Sequence, residues 1–474
     1  MAETVADQVM AAKNADGRLP TINSSSSPSC FVILRNPLLD RRRMLLGTSA
    51  MIGGAVAGCG GPEEQKPAPP RPESRNVPLR ILLTGSSRDA ETMERGWGAI
   101  ADHSLAIETI DSIRDDAQAL SERVLSQAQK CDVLIYPLML ASDLEASESI
   151  TALSDAEVKQ CDTGGELYAT LRAGAASYSG KNVGIPLGAS QPAIIAYDEL
   201  PDFGGEQSLD WESYDDLVKN HWSGSAGEPT APGYAAAMFL WRSVSNTPWL
   251  FERETCEPLI DTEPYVETLT QMLTTHTAYK AKLETPEAIW EAVTEGKLQG
   301  GIGFPLIRSE ANGEPAVIRN LPGVNNLSRV LLDAFSPLAS LSINCRQSTL
   351  AKQFIQWISG GEGSAATRNQ ISGMTNIRAQ VKQNDTSANS GSTPGYDRWL
   401  AEQLTAPVNL PTLQIRQGGF YYQVLDQQIL RTLKGEATPK EALAEVAAQW
   451  RAKNEEIGTD AQLRAWRRAQ GMRG

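Results

Sequence analysis

Histidine is nearly absent from the 474-residue chain: His103, His221 and His276 are its three copies, far apart and in unrelated contexts. Chemistry that depends on histidine clusters, including most zinc sites and serine triads, is therefore disfavoured. The spacings HExxH, GxSxG and CxxC are missing as well. Basic charge is in deficit, Lys+Arg 43 against Asp+Glu 57, for a net charge of -14. Such a surface repels phosphate backbones and argues against a nucleic-acid partner. Cysteine is scarce, six in all, and at this length a disulfide-stapled miniprotein is excluded; two or three domains with real cores are expected. Long apolar runs are lacking too. The one that follows Arg41, Arg42 and Arg43, from Met44 to Gly58, has about 14 residues, short of the roughly 20 that span a bilayer.

What is present begins with that segment. A basic cluster followed by a short apolar run has the form of a signal peptide. Its end, Val56, Ala57, Gly58, Cys59, resembles a bacterial lipobox, which implies that Cys59 is acylated and becomes the mature N-terminus. Arg41, Arg42, Arg43, Met44, Leu45 also resembles a twin-arginine export motif. Residues 1 to 40 read either as a mis-called start or as a long leader. Removing residues 1–58, which carry a net +2, leaves the mature chain near -16. Residues 59–77 hold prolines 62, 67, 69, 70 and 72 and form an extended tether, at about 3.1 Å per residue reaching roughly 50 Å. The expected location is periplasmic or extracytoplasmic, lipid-anchored to the membrane.

From Pro78 the pattern turns to alternating strands and helices. PLRILLTG, SLAIETI and CDVLIYPL read as strands; Asp89 to Ala101 and Asp115 to Lys130 read as the helices between them. Strand, helix, strand, helix, strand is a doubly wound parallel unit, and its ligands sit outside the carboxyl ends of the strands. Those ends include Thr84 to Ser87 and Pro137 to Met139. Gly174 to Asn182 looks like a phosphate loop but has five residues between its glycines rather than four, and Asn182 where Ser or Thr belongs. Carboxylate pairs such as Asp215 and Asp216 are sequence neighbours and do not share a helix face.

Further on, VGIPLGASQPAIIAYDEL and LDWESYDDLVKN, with Asp210 as cap of a helix carrying Trp211, Tyr214 and Leu217, resemble the hinge crossing and next helix of the extracellular solute-binding proteins of ABC importers, family 1, sugar-binding-like. PLIDTEPYVETLTQML, IWEAVTEGKLQGGIGFP, SLSINCRQSTLAKQFIQWISGGEGSAA, read as a strand with Asn344 and then a helix, and GGFYYQVLDQQILRTLKGEATPKEALAEVAAQW continue the likeness in order. It covers Pro78 to about Glu455. The resemblance implies an α/β, two-lobed periplasmic-binding-protein-like fold of type II, lobe 1 being 78–188 plus 335–374 and lobe 2 being 189–334 plus 375–474. It implies capture of a small solute for ABC permease subunits by hinge closure, by a monomer without a catalytic residue, cofactor or metal. Departures from the family are the missing aromatic after the first strand, Ser245, Asn246, Thr247, Pro248, Trp249 where many members have Gly-Gly, and the basic tail with Arg464, Arg467, Arg468 and Arg473. Under the implied topology Cys131, Cys161 and Cys345 share lobe 1 and Cys256 lies in lobe 2, so one intralobe disulfide at most is expected.

Candidate ligand residues are the strand-end Ser86, Ser87 and Pro137, the hinge-proximal Ser190 and Gln191, the aromatics Trp241, Trp249 and Phe304, and Asn376 and Tyr421. Flat rings stack on the apolar face of a sugar, and neutral hydroxyls and amides bond its hydroxyls, so a carbohydrate is expected. Arg88 and Arg242 are the nearest cations to these segments. The adjacent Tyr421 and Tyr422 resemble the tyrosine pair of ferric-ion binding proteins and keep iron, or another non-sugar solute, as the alternative. A ligand-binding partner of a sensor and an anchored hydrolase are the readings from other classes.

Overall fold

A computed structural model of the chain describes residues 77–162, 165–200, 209–244, 249–282, 284–307, 313–323, 330–361, 363–379, 395–405, 409–410 and 413–472. The leader, Cys59 and the Pro-rich segment up to Asn76 lie outside the described residues.

The first sheet is built as the alternation predicts. Strands β1 (Leu79–Thr84), β2 (Leu105–Ile110) and β3 (Val133–Pro137) are parallel, in the order β2-β1-β3. The strand Pro337–Ser342, delivered from far along the chain, lies antiparallel to β3, and β4 (Ile150–Thr151) and Ile185–Pro186 pair with it in turn. Successive side chains of a strand point to opposite faces, and both faces are covered. Leu79, Ile81, Leu83, Val133 and Ile135 face a cluster with Met93, Trp97, Phe354 and Trp357; Leu82, Leu134 and Tyr136 face the other way. Burial on both sides is why β1 and β3 read as continuous apolar runs. The helix Ser87–Gly98 starts with a capping box, Ser86 accepting from the Asp89 N–H and Asp89 from the Ser86 N–H.

The chain leaves this sheet after Pro186 and forms a second one from Val317–Arg319, Ala193–Ala196, Gly300–Gly303 and Ala226–Gly227, in that spatial order. Gly300 is required there by a close approach: a Cβ on it would fall 2.2 Å from the Trp222 ring. Asp210 caps the helix Trp211–Asp216, as its sequence predicts, and Trp211 and Tyr214 are buried. Helix Pro286–Thr294 packs on this sheet, and helices Ala235–Ser243, Glu263–Ala278, Gly418–Leu433 and Pro439–Ile457 pack on one another. The Gly418–Leu433 helix touches both Ala235–Ser243 and the helix Ala117–Gln127 that follows β2, so one apolar cluster runs continuously past both sheets.

Three segments singled out in the sequence take these forms. The strand read as containing Asn344 ends at Ser342; Asn344 sits in the following turn and donates from Nδ2 to the Gln129 carbonyl. The basic tail is an amphipathic helix, Thr459–Ala469, whose Trp466 is buried against Phe251. The phosphate-loop lookalike is the end of the helix Ala169–Gly174 and a small hairpin, Ser177–Tyr178 with Lys181–Asn182. Cys131, Cys161, Cys256 and Cys345 are all free thiols.

Candidate ligand-binding cleft

A strand end exposes backbone and turn groups that the sheet no longer pairs, and a parallel sheet gathers several such ends at one edge. Here that edge opens onto a cleft of about 550 Å³. One wall is Thr84, Gly85, Ser86 and Arg88 after β1, Asp111 to Asp115 after β2, and Ile135 of β3. The opposite wall is Pro232 and Tyr234, which lead into the Ala235–Ser243 helix, and Leu306 and Ile307, which follow Gly300–Gly303. Phe335, Pro337 and the segment Ile371 to Met374 close the floor.

Two clips hold this geometry. Asp89, buried, takes the Ser86 N–H at 2.9 Å and the Ser86 hydroxyl at 2.7 Å on one carboxylate oxygen, and the Ser372 N–H at 3.1 Å on the other. The capping box of the first helix therefore also anchors the floor segment. The second clip is Arg114, whose guanidinium donates to both oxygens of Asp333, at 3.2 and 2.5 Å. Its flat faces meet the rings of Tyr234, 4.3 Å away, and Phe335, 4.2 Å away. Burial alone would lower the Arg114 pKa, but the Asp333 carboxylate more than offsets it and the guanidinium is held charged, above its ordinary value. Behind it, Tyr422 donates to the Gly233 carbonyl at 2.9 Å, and Asp426 accepts from the N–H groups of Gly233 and Ala236, serving as the remote cap of the Ala235–Ser243 helix.

The ten candidate residues do not converge. Ser86 lines the cleft; Ser87, beside it, is exposed and outside the lining. Pro137 is buried and outside the lining, paired in register with Pro337, which does line the cleft. Ser190 and Gln191 are buried, the Tyr396 hydroxyl bonding to the Gln191 backbone on both its N–H and C=O. Trp241 and Phe304 are core residues packed on each other at 6.1 Å, Trp241 on a helix buried along its whole length and Phe304 just past the buried strand Gly300–Gly303. Trp249 is half-buried against Trp466, with Arg253 over its ring. Asn376 accepts from the Arg378 N–H, a turn contact. Tyr421 is buried and donates to Asn454 Oδ1 at 2.6 Å. With Tyr422 also turned inward, the tyrosine pair does not reach the cleft; no group of three His, Cys, Asp or Glu able to hold a metal occurs among the described residues. Of the two arginines expected nearby, Arg88 is in the wall and Arg242 is buried between Glu228 and Asp215.

Sequence reasoning missed Arg114, Tyr234 and Phe335. Applying the strand-end rule to β2 as well as to β1 and β3 finds Asp111 to Asp115 and with it Arg114; nothing local marks Tyr234 or Phe335.

No protein-family model and no curated protein matches the chain. Solved structures do. Maltose-bound MalE3 of T. maritima superposes with a TM-score of 0.60 at 14% identity, covering 79% of this chain and 99% of that one. A ribitol complex of an ABC-transporter solute-binding protein from Agrobacterium radiobacter K84 gives a TM-score of 0.63 at 14% identity, over 80% and 99% of the two chains. One from Agrobacterium vitis S4 with bound D-mannitol gives 0.56 at 14%, with the same coverage. These neighbours are binding proteins rather than enzymes. The two sheets, the cleft at the strand ends and these superpositions lead to one statement: the chain has the periplasmic-binding-protein fold of ABC-transporter solute-binding proteins.

Proposed function

We propose that the protein captures a hydroxyl-rich solute, a carbohydrate or polyol, outside the cytoplasm and hands it unchanged to an ABC importer. The observation that carries this reading is the cleft itself. Its walls come from the strand ends of one sheet and from the segments around the other, in a fold whose structural neighbours hold maltose, ribitol and D-mannitol. The walls mix hydroxyls with charges of both signs, Arg88 against Asp111 and Asp115, and Arg114 is neutralised by Asp333. Such a lining suits neutral ligands with many hydroxyls better than an ion.

The lobes are 78–188 plus 335–374 and 189–334 plus 375–474; the ligand binds their closed arrangement more tightly and shifts the population towards it, and the permease reads the closed form. Ser86 is retained as a binding residue, joined by Thr84, Arg88, Asp111, Ser112 and Asp115. The chain acts as a monomer and performs no reaction. Acylation of Cys59 holds it at the membrane, and no described helix is long and apolar enough to cross one. A thermal-shift screen over sugars, polyols, amino acids and iron salts tests the reading, since a ligand for the folded state raises stability by mass action. A shift with a sugar or polyol, recovered chemically intact, is expected; a shift with iron salts alone, or turnover of the ligand, overturns it. For the anchor, Cys59→Ala should yield unprocessed precursor or released protein.

A further inference from the structure

Open aromatic surface decides which carbohydrates a cleft can hold. A pyranose has a flat apolar face that gains from lying on an open ring, whereas an acyclic polyol is recognised by hydrogen bonds along its length. In this cleft both lining rings, Tyr234 and Phe335, are already used. The Arg114 guanidinium lies over Tyr234 and Phe335 at 4.3 and 4.2 Å, Tyr422 sits edge-on to Phe335 at 5.3 Å, and each wall ring is left 8% exposed. No tryptophan lines the cleft. Arg114 is not free to swing away. Asp333, 3% exposed, would be left as a lone buried charge, and Gly233 packs so closely behind that a Cβ there would come 2.4 Å from the Arg114 Cβ. What the walls offer instead is hydrogen bonding, from Ser86, Arg88, Asp111, Ser112 and Asp115.

Resting on the proposed capture function, we infer that the cleft takes an acyclic polyol rather than a sugar ring, and that Arg114 determines this specificity by occupying the ring faces on which a pyranose would stack. Calorimetric titration of the full chain with ribitol and D-mannitol, set against D-glucose and maltose, tests it. The polyols should bind about tenfold tighter or better. Ring sugars that bind as tightly as the polyols, or tighter, overturn the inference and leave the capture function standing. Silence across both groups overturns the capture function itself.

A second variant isolates the residue. Arg114→Ala combined with Asp333→Asn uncovers the rings without stranding a charge, and the polyol-to-ring affinity ratio should fall by about tenfold. General loosening would weaken both ligand groups and leave the ratio unmoved; an unmoved ratio in the folded variant removes Arg114 from the specificity. If the variant does not fold, the wild-type titration alone decides the ligand class.

Discussion

Two arginines of this protein have nearly the same surroundings and different work. Arg114 bonds to Asp333 and lies over Tyr234 and Phe335 at the edge of the cleft. Arg242 bonds to Glu228 and Asp215 and lies over Trp211 at 4.3 Å, wholly inside the second half of the chain. In each, a guanidinium is neutralised by carboxylate and covered by aromatic faces, which is how a permanent charge is kept out of water at tolerable cost. The difference is what lies on the open side. Arg242 has packed protein all round it; Arg114 faces the space where a ligand would sit. The same side-chain chemistry is structural in one place and selective in the other, and the strand ends decide which.

The largest effect should come from breaking the inner cluster. Arg242→Met leaves Glu228, 1% exposed, and Asp215 without their cation, and should cost about 3–5 kcal/mol in denaturant unfolding. Adding Glu228→Gln should recover part of that loss; equal losses in the single and double variants would show that the ion pair is not the source.

Next in size is Trp249→Ala. Its ring lies against Trp466 and under Arg253, away from the cleft. The variant should lose about 2–3 kcal/mol of stability with ligand affinity unchanged, and a fall in affinity at full stability would return Trp249 to the site.

The third prediction concerns pH. Burial pushes the Asp143 carboxyl up to about 6, although the Gln417 N–H bonds to it at 2.7 Å. An unfolded aspartate titrates near 3.9, roughly. Between those values the folded chain holds the proton more tightly than the unfolded one, so this group's contribution is full below about pH 4 and is lost as pH rises through about 6. Asp143→Asn keeps an acceptor for Gln417 and should remove up to about 1 kcal/mol per pH unit of slope in that window. Asp426, also raised to about 6 by burial, leaves a similar slope of its own. Melting curves from pH 4 to 8 that are parallel for the two proteins would refute the assignment.

Smaller still is the contrast between neighbouring serines. Ser86→Ala breaks the capping box and one of the bonds that position Asp89, and should cost about 1 kcal/mol together with ligand affinity. Ser87→Ala should stay within about 0.5 kcal/mol and leave binding alone.

The first sheet was legible because its signals are local. The apolar run from Leu79 to Leu83 can be read within six residues, and Asp210 announces its helix by standing just before Trp211 and Tyr214. The site was legible only where it coincides with such a signal. Ser86 was found because it follows the first strand; that it also caps the next helix is what the structure adds. Trp241, Phe304 and Tyr421 were misplaced for the opposite reason: an aromatic residue near a loop carries no mark of which way its helix or strand will face, and packing turned all three inward.

By itself, then, the sequence determined the strand and helix alternation, the caps, the parallel unit and the edge at which a ligand would be met, since each depends on residues a few positions apart. Only the tertiary structure decided what that edge presents. Arg114 and Asp333 are 219 residues apart; of the rings that cover the guanidinium, Phe335 comes with the Asp333 segment and Tyr234 arrives on a third. Such a cluster leaves no periodicity or spacing in the chain; it exists because the fold brings three separate segments to one place, where burial makes an unpaired charge too costly to leave alone.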